Sequence, residues 1–80
     1  MNQYVYVLKS LLKTKSYVGM TNNLERRLNE HNAGLHNYTK KYLPWAMIYS
    51  EKYDNLSDAR KREKYLKSAV GRKFLKTLFQ

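Results

Sequence analysis

The chain predicts an α+β fold: a small three-stranded, mainly antiparallel sheet flanked by helices, in the order ββαβαα. Three observations lead there. Gln3 to Lys9 is rich in β-branched and aromatic residues and apolar on both faces, which suits a central strand covered on both sides. Two further runs of strand composition, Lys15 to Met20 and Ala46 to Tyr53, are bounded by polar turn residues. The remaining segments carry apolar residues at helical rather than alternating spacing.

Taken in order, Tyr4, Tyr6 and Leu8 share one face of the first strand, and Val5 and Val7 the other. Ser10 to Lys15 is a polar turn, so the second strand should return antiparallel as a hairpin. Gly19 near its end marks a place where another group comes close to the backbone. Asn22 followed by Glu25 resembles a capping box and starts a helix that runs to about Asn32, with Gly34 as its stop. Residues 35 to 45 read as an irregular loop closed by Pro44, with Trp45 plugging the edge of the core. After the third strand, Asp54-Asn55 turns into a helix over Ser57 to Val70. Gly71 separates it from a last amphipathic helix with Phe74, Leu75, Leu78 and Phe79 on its apolar side.

Eighty residues leave room for one domain, residues 1–80, and no second core. Sixteen Lys plus Arg against six Asp plus Glu give a formal charge of +10, which fits a polyanionic partner. A membrane partner is not expected, because the apolar run Tyr4 to Leu8 is far too short to span a bilayer. No charged-then-apolar leader is visible, and a cytoplasmic location is the simplest expectation. With no cysteine there are no disulfides and no thiolate-bound zinc or iron–sulfur site.

Glu63 carries the strongest hint of chemistry. At about 3.6 residues per turn it falls inside the apolar stripe of Ala59, Leu66 and Val70, while Arg60, Lys61, Lys64, Lys67 and Ser68 cover the solvent side. An inward carboxylate calls for a cation or a metal ion. The first helix repeats the pattern: Arg27 and His31 flank the apolar face of Leu24 and Leu28, whereas Arg26, Asn29 and Glu30 point away. With Tyr6 and Tyr17 on neighbouring strands, a tyrosine pair, an arginine, a histidine and a glutamate are expected to converge over one face of the sheet. Such parts suit phosphodiester hydrolysis: a carboxylate-held divalent ion, an arginine fork on the phosphate oxygens, and a phenol or imidazole that accepts a proton from water.

The segments Tyr4-Val5-Tyr6 and Tyr17-Val18-Gly19 resemble the two halves of the GIY-YIG nuclease signature. Met20 to Asn32 is similar to that family's helix, and Ala59-Arg60-Lys61-Arg62-Glu63-Lys64 to the segment bearing its acidic residue. The resemblance covers nearly the whole chain and is greatest to the small single-domain bacterial members, which in turn resemble the N-terminal nuclease domain of the excinuclease C subunit. It implies a DNA endonuclease that uses one Mg²⁺ or Mn²⁺ ion, with DNA repair or recombination as its setting. It further implies that Tyr17 activates water or contacts the scissile phosphate, that Arg27 binds the phosphate, and that Glu63 is the metal ligand. Tyr6 and His31 would be supporting residues that position water or shuttle a proton. Tyr4 replaces the first glycine of the signature, Met20 stands where some members carry lysine, and an asparagine found beyond the acidic helix in other branches has no clear counterpart.

Nucleic-acid contacts are expected from Tyr38, Lys40 and Lys41, where aromatic and basic groups interleave, and from Arg26, Arg60 and Lys64. Plain structural readings stand beside these. A strand tyrosine often only packs, an arginine beside an apolar face often snorkels, and a basic helix run is often a solvated face. Glu63 also suits an ion pair with Arg27 or Arg62 that joins two helices, and His36 reads as a loop residue. The alternative function is therefore a non-catalytic basic nucleic-acid binding module on the same fold.

Overall fold

Val5, Tyr6, Val7 and Leu8 are all buried, and this unbroken apolar run explains why the first strand lies in the middle of the sheet. In the computed structural model, which describes residues 2–79, β1 (Gln3–Ser10) pairs antiparallel with β2 (Ser16–Thr21) on one side and with β3 (Trp45–Tyr53) on the other. The helices are α1 (Leu24–Asn32), α2 (Leu56–Lys67) and α3 (Ala69–Leu78), which gives the expected ββαβαα order. The loop between α1 and β3 also contains a 3₁₀ turn, Thr39–Tyr42, where the sequence suggested irregular chain. No helix among the described residues is long and apolar enough to cross a membrane.

Alternation along β1 divides the core in two. Val5 and Val7, with Val18, face α2 and α3 and pack on Ala59, Leu66 and Leu75. Tyr6 and Leu8 face the other way, with Trp45, Leu24, Leu28 and Tyr42. A bulge between Val7 and Leu8 accommodates an extra residue of β3, since Val7 pairs with Tyr49 and Leu8 with Met47.

The hairpin turn is tied by Ser10, whose hydroxyl accepts from the Leu12 and Lys13 amides and donates to the Tyr42 carbonyl. The α1 cap is Asn23, not Asn22: Thr21 Oγ1 accepts the Asn23 amide, and Asn23 Oδ1 then accepts from Arg26 N at 3.0 Å. Asn22 instead accepts from the Arg26 guanidinium at 2.9 Å. Gly34 ends the helix as expected, with φ 78°.

The break between α2 and α3 falls at Ser68 rather than Gly71. Ser68 Oγ accepts from Gly71 N at 3.2 Å and so starts a new helix. Gly71 lies inside α3, buried because a side chain there would run into the Tyr65 carbonyl and the Leu66 backbone. Val70 consequently belongs to α3 and is 59% exposed, so it is not part of the apolar stripe of α2.

Glu51 fastens α2 to the sheet. Its carboxylate accepts from Tyr49 and Tyr53 hydroxyls at 2.5 and 2.6 Å and from Arg62 Nε and Nη2 at 2.9 and 3.0 Å. Burial pushes this carboxyl upward, but those donors outweigh it and hold it below the usual carboxylate range. The Arg62 guanidinium also lies over the rings of Tyr65 and Phe74.

Candidate active site

Tyr6 and Gly19 are directly opposite each other on β1 and β2, and this pairing shapes the site. A Cβ at Gly19 would stand 2.6 Å from Tyr6 Cζ and 2.9 Å from Tyr17 Cε2, so only glycine lets both tyrosine rings lie over the same stretch of strand. Tyr6 is fully buried, whereas Tyr17 is half-buried. Tyr17 is therefore the phenol that reaches the surface.

Behind them sits His31, from the last turn of α1, with no exposed surface. Its Nε2 is 2.8 Å from the Tyr6 hydroxyl and its Nδ1 is 2.8 Å from Thr39 Oγ1. Thr39 is equally buried and its carbonyl accepts from the Trp45 indole at 2.8 Å. Burial, with the nearby His36 and Arg27 charges, lowers the His31 pKa to about 4, so the ring is neutral at physiological pH. Burial likewise pushes the Tyr6 phenol up to about 12, with Tyr17 adding to the rise and Arg27 opposing it. Tyr6 is thus a lasting hydroxyl and not a phenolate. The His31 ring also packs edge-on to Tyr17 at 5.1 Å, so this half-buried phenol leans on the buried pair.

Arg27 reaches along the same edge, its Nη1 3.4 Å from the Met20 carbonyl. Its Nε lies 2.9 Å from Glu30 Oε1 but makes no hydrogen bond, since the N–H is not aimed at that oxygen. The guanidinium is oriented by this ion pair, and its side chain keeps 28% of its surface exposed. Glu63, on α2, adds the smallest of the influences that raise the Tyr6 phenol. Its own ion pair is with Lys67 at 3.3 Å, and Arg62 is engaged by Glu51 instead.

A family model described as the GIY-YIG catalytic domain matches residues 2–76. The chain belongs to the GIY-YIG family. It is similar to small proteins named UPF0213: it is 44% identical over 66 residues to that of Syntrophus aciditrophicus (strain SB), covering 80% of this chain and 75% of the relative. The UPF0213 protein SH2523 of Staphylococcus haemolyticus is 38% identical over 77 residues, covering 94% of this chain and 92% of its own. The solution NMR structure of the UPF0213 protein BH0048 from Bacillus halodurans shares the fold, with a TM-score of 0.58 and 27% identity over 98% of this chain and 85% of that one. The family is one of nuclease domains, so a nucleic acid is the substrate class that it implies.

Against this GIY-YIG frame, Tyr6, Tyr17, Arg27 and His31 come together on the α1 side of the sheet. The helix that bears Glu63 packs against the other side of the sheet, where its Ala59 and Leu66 meet Val5, Val7 and Val18. His36, read as a loop residue, packs its ring 4.3 Å from that of His31.

The residues expected to contact nucleic acid scatter more widely. Tyr38 stacks on Tyr17 with ring centroids 6.1 Å apart. Lys40 and Lys41 are exposed on the 3₁₀ turn, and Arg60 and Lys64 are exposed on α2. Arg26 faces outward, bonded to Asn22 and paired with Glu30 at 3.7 Å. An open cleft of about 640 Å³ begins at Tyr17 and is lined by Lys15, Tyr38, Lys67, Arg72 and Lys76 above Leu75 and Phe79. Of these cations only Lys67 belongs to a basic run visible in the sequence; Lys15, Arg72 and Lys76 come from distant segments.

Among the described residues no three His, Cys, Asp or Glu side chains cluster as a metal cage. Glu63 alone suits a different binding mode, in which Mg²⁺ takes one or two carboxylates and fills its shell with substrate oxygens and water. The Glu63 side chain keeps 21% of its surface exposed.

Proposed function

We propose that the chain is a metal-dependent DNA endonuclease that hydrolyses phosphodiester bonds, with DNA repair or recombination as its setting. The observation that carries this reading is the packing of Tyr17, Tyr6, His31 and Arg27 into one corner of a basic protein.

In the reaction, water adds to phosphorus, one P–O bond breaks, and the departing oxygen takes up a proton. Arg27, whose side chain keeps 28% of its surface exposed, holds the non-bridging oxygens as charge builds on them. Tyr17 is the phenol with access to the phosphate and to the attacking water. Both nitrogens of His31 are committed to Tyr6 and Thr39, so His31 acts as a positioning residue that fixes Tyr6 beneath Tyr17. Glu63 would hold one Mg²⁺ or Mn²⁺ ion together with the substrate. When bound, the ion polarises the phosphate and stabilises the leaving oxygen.

The test is incubation of purified protein with branched, nicked, flapped and plain duplex DNA in Mg²⁺ or Mn²⁺. Cleavage of at least one substrate, abolished by Glu63→Gln and by Arg27→Ala, is the expected result. Cleavage of none, or cleavage that survives both substitutions, refutes the reading.

One observation favours a second reading, a non-catalytic binding module: the Glu63 carboxylate is already paired with Lys67 at 3.3 Å. That reading expects steeply salt-dependent DNA binding that Mg²⁺ and Mn²⁺ do not alter.

A further inference from the structure

We propose that the cleft beside Tyr17 is a binding track for an unpaired stretch of DNA, the single strand that continues from the phosphate held at the active site. Lys15, Lys67, Arg72 and Lys76 supply its charge, and none of its lining residues is acidic. Its floor is different in kind: Leu75, Phe79 and Val18 are apolar, and Tyr17 and Tyr38 present aromatic rings. Tyr38 is 48% exposed and stacks on Tyr17, and Tyr42 follows 5.3 Å further on with the Lys15 ammonium over its ring.

Aromatic rings and cations lining one cleft distinguish between forms of nucleic acid. A duplex shows phosphates at its surface and hides its base faces within the stack, so it can use the cations and not the rings. An unpaired strand can use both, laying bases on aromatic faces while its backbone follows the positive rim. The apolar floor would lie bare under a duplex and is covered by bases of a single strand. Tyr17 belongs to both the cleft and the catalytic corner, so a strand entering one is delivered to the other. Lys67 ties the two further, since it lines the cleft and pairs with Glu63. The substrate class is therefore DNA with an unpaired segment next to the cut, such as a flap or a splayed end. This specificity rests on the endonuclease reading; the strand-binding itself does not.

Binding is measured by fluorescence anisotropy with the full chain in EDTA, so that cleavage plays no part. The ligands are an oligothymidylate of about 12 nucleotides and a blunt duplex of equal length. The oligothymidylate should bind more tightly. Tyr38→Ala should weaken it roughly 5- to 100-fold, as the loss of one base stack implies, and leave the duplex within about twofold. Arg72→Gln with Lys76→Gln, both at exposed positions, should weaken both ligands, because the cations serve either form. Circular dichroism checks the fold of each variant, and Tyr38→Leu decides if Tyr38→Ala is unfolded. Equal affinity for the two ligands, or a Tyr38 variant that weakens both alike, overturns the proposal. Selective single-strand binding by a protein that cuts nothing upholds the track and removes the endonuclease reading.

Discussion

His31 Nε2 lies 2.8 Å from the Tyr6 hydroxyl, and neither side chain has surface in contact with water. The bond joins α1 to the central strand across 25 residues of sequence. A polar contact so enclosed is costly to break, because each partner then keeps an unmet hydrogen-bonding group in the core.

Tyr6→Phe should therefore lower stability by about 1–2 kcal/mol, since it strands His31 Nε2 without a partner. Urea unfolding measures this as a fall in midpoint with unchanged slope. Tyr17→Phe should leave stability within about 0.5 kcal/mol, because this half-buried side chain keeps its ring contacts. It should still reduce DNA cleavage by a hundredfold or more, roughly the contribution of a positioned proton-transfer group. Equal stability losses in the two variants would contradict the division between a buried and a working phenol.

The buried neutral state of His31 makes stability depend on pH in a defined window. Its pKa falls from 6.5 to about 4 on folding, so the unfolded chain binds the extra proton first. Stability is full above pH 6.5, declines as pH drops toward 4, and then levels off as far as this group is concerned. The loss is on the order of 3 kcal/mol. An NMR titration should find the His31 ring unprotonated until pH approaches 4, and a midpoint near 6.5 would refute the assignment.

Gly19→Ala should disturb the site without touching a polar group. The added methyl meets the Tyr6 phenol and the Tyr17 ring, and both belong to a packed sheet face. We expect destabilisation of about 1–3 kcal/mol, as for other overpacked cores, together with loss of cleavage. Thermal unfolding and a nicking assay on the same preparation check the pair of outcomes.

Glu51→Ala removes the acceptor shared by two phenols and a guanidinium. Arg62 keeps 29% of its side-chain surface exposed, which softens the penalty below that of a sealed ion pair. A loss of about 1–3 kcal/mol is expected, read from urea midpoints at pH 7. Because the Glu51 carboxyl is held below its ordinary 4.5, this contribution disappears only as the medium becomes more acidic than that. It thus lies largely apart from the His31 window.

The strands and their order were legible because β1 is apolar on both faces, a pattern that only a central position explains. The α1 residues facing the sheet were legible from their i, i+4 spacing. Periodicity also placed Glu63 inside the apolar stripe of its helix, but it could not say which side of the sheet α2 would cover. Windings of about 100° per residue also hid the break at Ser68, because a serine inside a helical pattern leaves the apolar spacing intact. Thr39 as partner of His31, and Lys15, Arg72 and Lys76 around one cleft, are meetings of distant segments that short-range patterns do not encode.

The Glu51–Arg62 clamp sits one position before the acid at the heart of the proposed chemistry. A helix so anchored cannot slide or roll on the sheet without tearing a two-pronged contact, so Glu63 inherits its aim from a residue on another strand. Preorganisation of the ion's seat is in that sense delegated to β3, and weakening a remote carboxylate should blunt turnover before it unfolds the protein.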